Sequence, residues 1–325
     1  MRILTDLAYW DTLLYTYMNC RGALMDLNKK AAITKDEQFE IASTLHAMFL
    51  DSLFRETDWM ASDAVFHGGT SLALARDSER FSEDLDFMIT PQAREKLTAA
   101  MEKVRGRIDL SMSLEYPGGK VSLKGPKGDE VTKWELRWEH PNRHGKVMVK
   151  AEFFITDPEM LAKYRATHLV PTSRGIVSVR TPIPVPELVS SWADKIKAIA
   201  TRPDFKWRDA FDLAWVCKII NKADLGATDD TVIGSDENKL AALETTAGIY
   251  GKTLEDIAVG LERVCQSGVL DNVTEFEKDM ARWFPDDIFP RFKATGMFAR
   301  SLKETKQEIE ATISMIENLG HTLKP

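Results

Sequence analysis

The chain has 325 residues, of which 44% are hydrophobic and 29% charged, enough for a full apolar core in one large domain or two. This composition excludes an intrinsically disordered protein, and no apolar run approaches the roughly 18 residues of a membrane helix. A net charge of −7 argues against coating nucleic acid through bulk charge, and three widely spaced cysteines (Cys20, Cys217, Cys265) indicate neither a disulfide framework nor a zinc site.

The first residues, Met1-Arg2-Ile3-Leu4-Thr5-Asp6, lack the features of a signal peptide, so the cytoplasm is the expected location. Residues 6–28 repeat apolar groups (Leu7, Trp10, Leu13, Leu14, Tyr17, Met18) at helical spacing. A second helix is signalled by Thr34 as N-cap and Glu37 three residues on, with an apolar stripe to about Trp59. Ala64–His67 reads as a short strand, Gly68–Gly69 as a turn, and Thr70 to about Ala75 as a helix. Leu85–Ile89 is strand-like, and Pro91 opens a helix to about Arg107. Residues 110–155 hold strand candidates broken by Pro117-Gly118-Gly119, Gly125-Pro126 and Pro141-Asn142. The clearest sets Val147, Val149, Ala151, Phe153 and Ile155 on one face and Met148, Lys150, Glu152 and Phe154 on the other. After Pro182–Pro186 the pattern is helical to the end; residues 222–240 read as a loop or boundary, with the acidic helices beyond as a separate lobe.

The expected fold class is α+β (α/β) with a mixed sheet. N-terminal helices (1–60) pack on a core (61–180), followed by a helical C-terminal lobe (181–325). Charge is uneven along this plan. Residues 91–150 hold 13 Lys/Arg against 8 Asp/Glu, whereas 12 face 19 from residue 222 onward. The basic middle suits an RNA end beside a catalytic pocket or, equally, solvated strands.

The strongest chemical signal is Asp84 and Asp86, one residue apart on a strand and so on one face, where they can hold one or two divalent cations. A third carboxylate on a neighbouring strand completes such a cage in two-metal phosphoryl transfer. Glu152 is the candidate; the alternative is an exposed glutamate paired with Lys150. Gly68 and Gly69 offer bare amides and a helix start to phosphate, with the Thr70 and Ser71 hydroxyls beside them, or are simply a left-handed turn. Lys195, at the edge of the face formed by Leu188, Trp192 and Ile199, either reaches into a cleft to neutralise phosphate or snorkels to water, and Lys197 points further from that face. Asp209 and Asp212, three apart on one helix side, either orient Lys195 or Arg208 or form surface pairs. His67 reads as a hydrogen-bonded strand end, and the eight tryptophans as core.

Taken in order, G-G-T-S-L (68–72), R-F-S-E-D-L-D (80–86), D-K-I-K-A-I-A-T-R (194–202) and K-W-R-D-A-F-D-L (206–213) resemble the AbiEii/AbiGii nucleotidyltransferase toxins, including the MenT-like toxins of type IV toxin–antitoxin systems. The resemblance covers about 66–216. It implies a polymerase-β-like nucleotidyltransferase core and Mg²⁺- or Mn²⁺-dependent transfer of a nucleotide from an NTP, in several members onto the 3′ end of tRNA. By this resemblance Gly68, Gly69 and Thr70 grip the nucleotide, Asp84 and Asp86 take the metal, Lys195 is the essential lysine and Asp209 the aspartate of the R-D motif. The chain departs from the family in His67, where members often carry Lys, and in its long acidic tail beyond about 225.

The resulting expectation is a nucleotidyltransferase acting on tRNA as the toxin of a toxin–antitoxin or phage-defence system, with a cognate antitoxin, no membrane partner and no bulk DNA binding. Asp84, Asp86 and Glu152 bind metal, Gly68 to Ser71 with Arg80 and Ser82 seat the triphosphate, and Lys195 and Asp209 complete the catalytic set. The rivals are NMP transfer to a protein side chain or a small molecule such as an aminoglycoside, and an inactive NTP-binding interaction protein. A DNA-binding regulator lacks its basic recognition helix.

Overall fold

The computed structural model describes residues 30–128, 131–172, 180–225, 227 and 232–322; the helix expected over residues 6–28, with Cys20, lies outside them. In chain order the elements are β1 (Ala31–Ala32), α1 (Lys35–Thr57), β2 (Ala64–His67), α2 (Gly68–Ala75), β3 (Asp84–Ile89), α3 (Pro91–Glu115), β4 (Lys120–Lys127), β5 (Val131–Glu139), β6 (Arg143–His144), β7 (Val147–Ile155), α4 (Pro158–Lys163), β8 (Ala166–Leu169) and β9 (Ile183–Pro186). The helical part then runs α5 (Leu188–Thr201), α6 (Trp207–Asp224), α7 (Asp236–Ile249), α8 (Leu254–Gln266), α9 (Val273–Met280), α10 (Phe289–Ala294) and α11 (Met297–Thr322).

The fold is α+β, built on a mixed five-stranded sheet of order β2-β3-β7-β5-β4. Only β3 and β7 run parallel; the other neighbours are antiparallel. One sheet face carries Leu85, Phe87, Val149, Ala151, Phe153, Trp134 and Leu136 into a core closed by α1 and α3. α1 begins where the sequence places it. Thr34 Oγ1 accepts the Glu37 N–H at 3.3 Å, and Glu37 returns a carboxylate oxygen to the Thr34 N–H at 2.9 Å.

Three sequence expectations are corrected. α3 does not stop near Arg107 but continues to Glu115, because Ile108 and Met112 extend the buried stripe formed by Leu97, Met101 and Val104. Gly125-Pro126 does not break the strand; it lies within β4 as a register shift between Lys124 and Lys127 on the sheet edge, where proline is tolerated. The acidic helices beyond 236 are not a separate lobe. Leu243, Leu261, Phe276 and Phe298 share one apolar cluster with Trp192 and Ile196 of α5 and Phe211 of α6. The proline-rich stretch before α5 also forms a strand, β9, which pairs antiparallel with β8.

α2 joins the two bodies: Leu74 packs in the sheet's core and Leu72 in the helical cluster. The loop after it is tied across by the Phe81 N–H, which donates to the Trp283 carbonyl at 2.6 Å. No helix among the described residues is long and apolar enough to cross a membrane.

Helix contact at α5 and α8 is close enough to test. A Cβ on Gly260 would overlap the Ala200 backbone carbonyl, whereas one on Gly106, within α3, meets nothing within 4 Å. Gly260→Ala is therefore expected to cost about 1–3 kcal/mol through overpacking. Gly106→Ala should stabilise by about 0.5–1 kcal/mol through backbone entropy. Urea unfolding of both variants checks the pair, and equal effects would contradict this packing.

Candidate active site

β3 alternates Leu85 and Phe87 into the core with Asp84 and Asp86 onto the opposite face, the geometry read from the sequence. On the parallel neighbour β7, Lys150 stands opposite Asp84 and Glu152 opposite Asp86; on antiparallel β2, His67 stands opposite Asp86. Asp84, Asp86, Glu152 and His67 open onto a cleft of about 260 Å³, whose other wall is made by α5, α6 and Tyr250.

The glycine turn has two physical reasons. Gly68 has a φ of 81°, and a Cβ there would collide with the Asp86 carboxylate. A Cβ on Gly69 would collide with the Arg80 guanidinium and lie 2.7 Å from Ser82 Oγ. Gly68, Gly69 and Ser82 all line the cleft, so the start of α2 presents its amides beside the two aspartates.

The hydroxyls expected beside that turn are placed elsewhere. Thr70 Oγ1 donates to the Asp84 carbonyl at 2.5 Å, clipping α2 to β3, and Ser71 is buried. Neither residue lines the cleft, and Thr70 instead borders a more apolar cavity behind the loop, with Phe39, His46 and Phe81. Each helical step turns the side chain by about 100°, which carries positions 70 and 71 away from the glycines' face.

Arg80 is also drawn inward. It is 2% exposed, donates from Nε and one terminal nitrogen to the two oxygens of Asp212 at 2.5 Å each, and gives the other terminal nitrogen to the Phe81 carbonyl at 2.9 Å. Its role is to shape the turn, with one edge open to the cleft. Asp212, 0% exposed, also pairs with Lys195 Nζ at 2.8 Å, and Asp209 Oδ1 lies 3.4 Å from the same ammonium. Asp209 and Asp212 therefore orient Lys195 and Arg80, not Arg208, whose guanidinium stacks 5.0 Å over Trp283. Lys195 does not snorkel: it is buried at the cleft wall. Burial opposes its charge, but Asp212 and Asp209 outweigh that and raise its pKa.

Glu152 lines the cleft next to Asp86, but its carboxylate is bonded to Lys133 Nζ at 3.0 Å. Its partner is thus the cross-strand lysine of β5, and Lys150 instead sits 3.9 Å from Asp84. Burial, with the charge of neighbouring carboxylates, raises the pKa of both Asp84 and Asp86. Two crowded carboxylates that resist their own charge are chemically suited to a divalent cation. Among the described residues no three His, Cys, Asp or Glu side chains are arranged to hold a metal ion. The donor set fits an ion held by Asp84 and Asp86, with its remaining ligands from substrate phosphates and water, as Mg²⁺ prefers.

Several cleft residues escaped the sequence reading. Asp194 Oδ2 accepts from Tyr164 OH at 2.7 Å and lies 3.6 Å from His67 Nδ1; burial raises its pKa, but His67, Lys197 and the Tyr164 hydroxyl together lower it below the usual carboxylate value. Lys197 lines the cleft with its ammonium 3.2 Å above the Tyr250 ring, and burial lowers its pKa to about 8. Arg202 lies 3.3 Å from Asp209 Oδ2. Asp194 and Arg202 flank Lys195 within one short segment and could have been flagged by that proximity. Tyr250 follows α7 and carries no local signal.

The family model described as the nucleotidyl transferase AbiEii toxin, type IV TA system, matches residues 51–289. No curated protein matches the chain. Among solved structures, it is similar to JHP933 from Helicobacter pylori, with 15% identity over 88% of this chain and 97% of that one and a TM-score of 0.42. It is also similar to MenT4, a nucleotidyltransferase toxin from Mycobacterium tuberculosis, with 16% identity over 87% of this chain and 94% of that one and a TM-score of 0.48.

Buried Asp212 and half-buried Asp86 should respond oppositely to neutralisation. Asp212 has a depressed folded-state pKa, held down by Arg80 and Lys195 against its burial, so its charge stabilises the fold above the carboxylate range. Asp212→Asn strands buried Arg80 and leaves Lys195 with Asp209 alone, and is expected to cost about 3–5 kcal/mol. Asp86 has a raised pKa, so its charge opposes folding at neutral pH, and Asp86→Asn should raise the melting temperature in EDTA. Thermal unfolding of the two variants at pH 7 tests the contrast; a stabilised Asp212→Asn would contradict it.

Proposed function

The chain belongs to the AbiEii nucleotidyl transferase toxin family, and from that membership and the cleft's geometry we propose that it transfers a nucleoside monophosphate from an NTP to the 3′ end of tRNA in the cytoplasm. Mg²⁺, or Mn²⁺ in its place, is the proposed cofactor, and a cognate antitoxin the proposed partner. The single observation that carries the reading is the placement of the Asp84/Asp86 pair against the amides of Gly68 and Gly69, with the buried Lys195 across the same cleft.

In this reading the acceptor hydroxyl oxygen attacks the α-phosphorus. The bond from the α-phosphorus to the bridging oxygen breaks, and pyrophosphate leaves as the hydroxyl loses its proton. A divalent cation, when bound, supplies electrostatic stabilisation of the phosphate oxygens and acidifies the attacking hydroxyl. Asp84 and Asp86 hold it, and the start of α2 binds the triphosphate through its amides and dipole. Lys195 adds a fixed positive charge whose position is set by Asp209 and Asp212. Lys197, which has no ion-pair partner among the described residues, is the cation free to move onto the departing pyrophosphate. Arg80 and Thr70 act by holding the turn.

The test combines labelled NTPs, total RNA and the purified chain. Wild type should label the tRNA fraction only with added divalent cation, and EDTA should abolish the signal. Asp84→Ala and Asp86→Ala should lose at least about 10²–10³-fold in transfer, the scale of removing one preorganised electrostatic element. They should also relieve growth arrest on induction. Full labelling by Asp86→Ala, or label appearing only in protein, would overturn the proposal.

A further inference from the structure

The face of the sheet that carries Asp84 and Asp86 does not end at the cleft. Register carries the same face across β7 to β5 and β4. One row reads Asp86, Glu152, Lys133, Lys127, and the next reads Asp84, Lys150, Glu135, Lys124. α1 and α3 cover the other face, and the helical lobe covers this one at β2, β3 and the Phe154 end of β7, where Phe154 meets Tyr250. Over the rest of β7, and over β5 and β4, the face stays open. Among the described residues it carries Lys120, Lys124, Lys127, Lys133, Arg137 and Lys150 against three glutamates. A local excess of cations on a chain of net charge −7 is a segregated feature.

Apolar anchoring is almost absent: Met148, 37% exposed, is the large apolar side chain there. A protein partner would need a buried apolar centre, which this face does not offer. A flexible polyanion needs only spaced cations, with an aromatic surface where bases can stack. The cations are present, and two rings line the cleft where the cationic rows enter it: Phe154 and Tyr250 stack on each other at 5.0 Å between ring centres, with Lys197 over Tyr250 as well. With strands about 4.8 Å apart, β4 lies about 14 Å from β3, so the lysines extend the site well beyond the reacting atoms.

We propose that the open face of β7, β5 and β4 is a binding track for a single-stranded nucleic-acid end, its phosphates on Lys150, Lys133, Lys127 and Lys124 and its terminal bases against Phe154 and Tyr250. The strand runs down the rows and delivers its terminal hydroxyl to Asp84 and Asp86. This rests on the transferase reading for the hydroxyl's fate, but binding is measurable without it.

The experiment is fluorescence anisotropy of a short 5′-labelled single-stranded RNA with the full chain, titrated with salt. Lys124→Glu/Lys127→Glu should weaken binding at least tenfold at low salt. It should also reduce the slope of log K against log salt by about 1.4, the value for two phosphate contacts on a single strand. Tyr250→Leu should weaken binding severalfold with the slope unchanged, because contact between a base and a ring releases no counterions. Lys303→Glu, on the exposed side of α11, is the control expected to bind as wild type. In the transfer assay the double variant should raise the acceptor KM and leave the NTP KM alone. Wild type that binds no RNA, or a double variant indistinguishable from Lys303→Glu, overturns the track and leaves its lysines as protection of a sheet edge. RNA binding with the predicted slopes but no labelling from any NTP supports the track and overturns the transfer reading instead.

Discussion

A buried carboxylate, Asp212, carries the charge balance on which the cleft depends. It takes a bidentate bond from Arg80, on the loop leading into β3, and a second ion pair from Lys195, on the first helix of the C-terminal lobe. Desolvating three charges is costly, and the arrangement holds only because each finds a partner of opposite sign at hydrogen-bond distance. The geometric consequence is strong. Arg80 is tied to the loop that leads to the aspartates, and its guanidinium lies directly under Gly69. One side chain thereby fixes the glycine turn, the carboxylate strand and the lysine of the opposite cleft wall relative to one another.

Around this neutralised centre the cleft is electrostatically divided. On the Asp212 side the charges are satisfied. On the β3 side, burial and neighbouring acids push Asp84 and Asp86 toward the neutral form, with Lys150 near the first and His67 and Lys195 acting on the second. The unsatisfied side suits a cation and the satisfied side gives it a rigid support. That is the division of labour expected of a preorganised site, in which the supporting shell contributes rigidity and the reacting shell keeps its electrostatic strain.

Much of this was legible in the sequence, and the reasons differ by element. Alternation on β3 fixed the facing of Asp84 and Asp86, because strand periodicity needs no tertiary information. The capping pattern at Thr34 and Glu37 located α1 for the same local reason. The spacing of Asp209 and Asp212 placed them on one helix side but could not decide between surface and interior; that depended on Arg80, more than 120 residues earlier. Arg80, Thr70 and Ser71 were expected at the ligand because they adjoin the glycines and aspartates in sequence. Adjacency says nothing about which way a side chain leaves a tight turn. Glu152 stands opposite Asp86, but the alternative to its role as a metal ligand looked for a partner along its own strand, in Lys150, when strand pairing supplies Lys133 from across the ladder. Tyr250 and Phe154 meet only through packing of α7 against the sheet, which no local pattern encodes.

The charge distribution reconciles an acidic chain with the polyanionic substrate proposed for it. Long-range attraction scales with net charge, which here is −7, and is damped beyond about 8–10 Å at ordinary ionic strength. Within that distance only the nearby face matters, and there cations outnumber carboxylates. The acidic residues are concentrated beyond position 222, in helices packed behind α5 and α6. Encounter with the proposed nucleic-acid end would therefore be governed by the sheet face and the cleft mouth. Net charge decides whether a protein coats nucleic acid; the local arrangement decides whether one end can be held at one site.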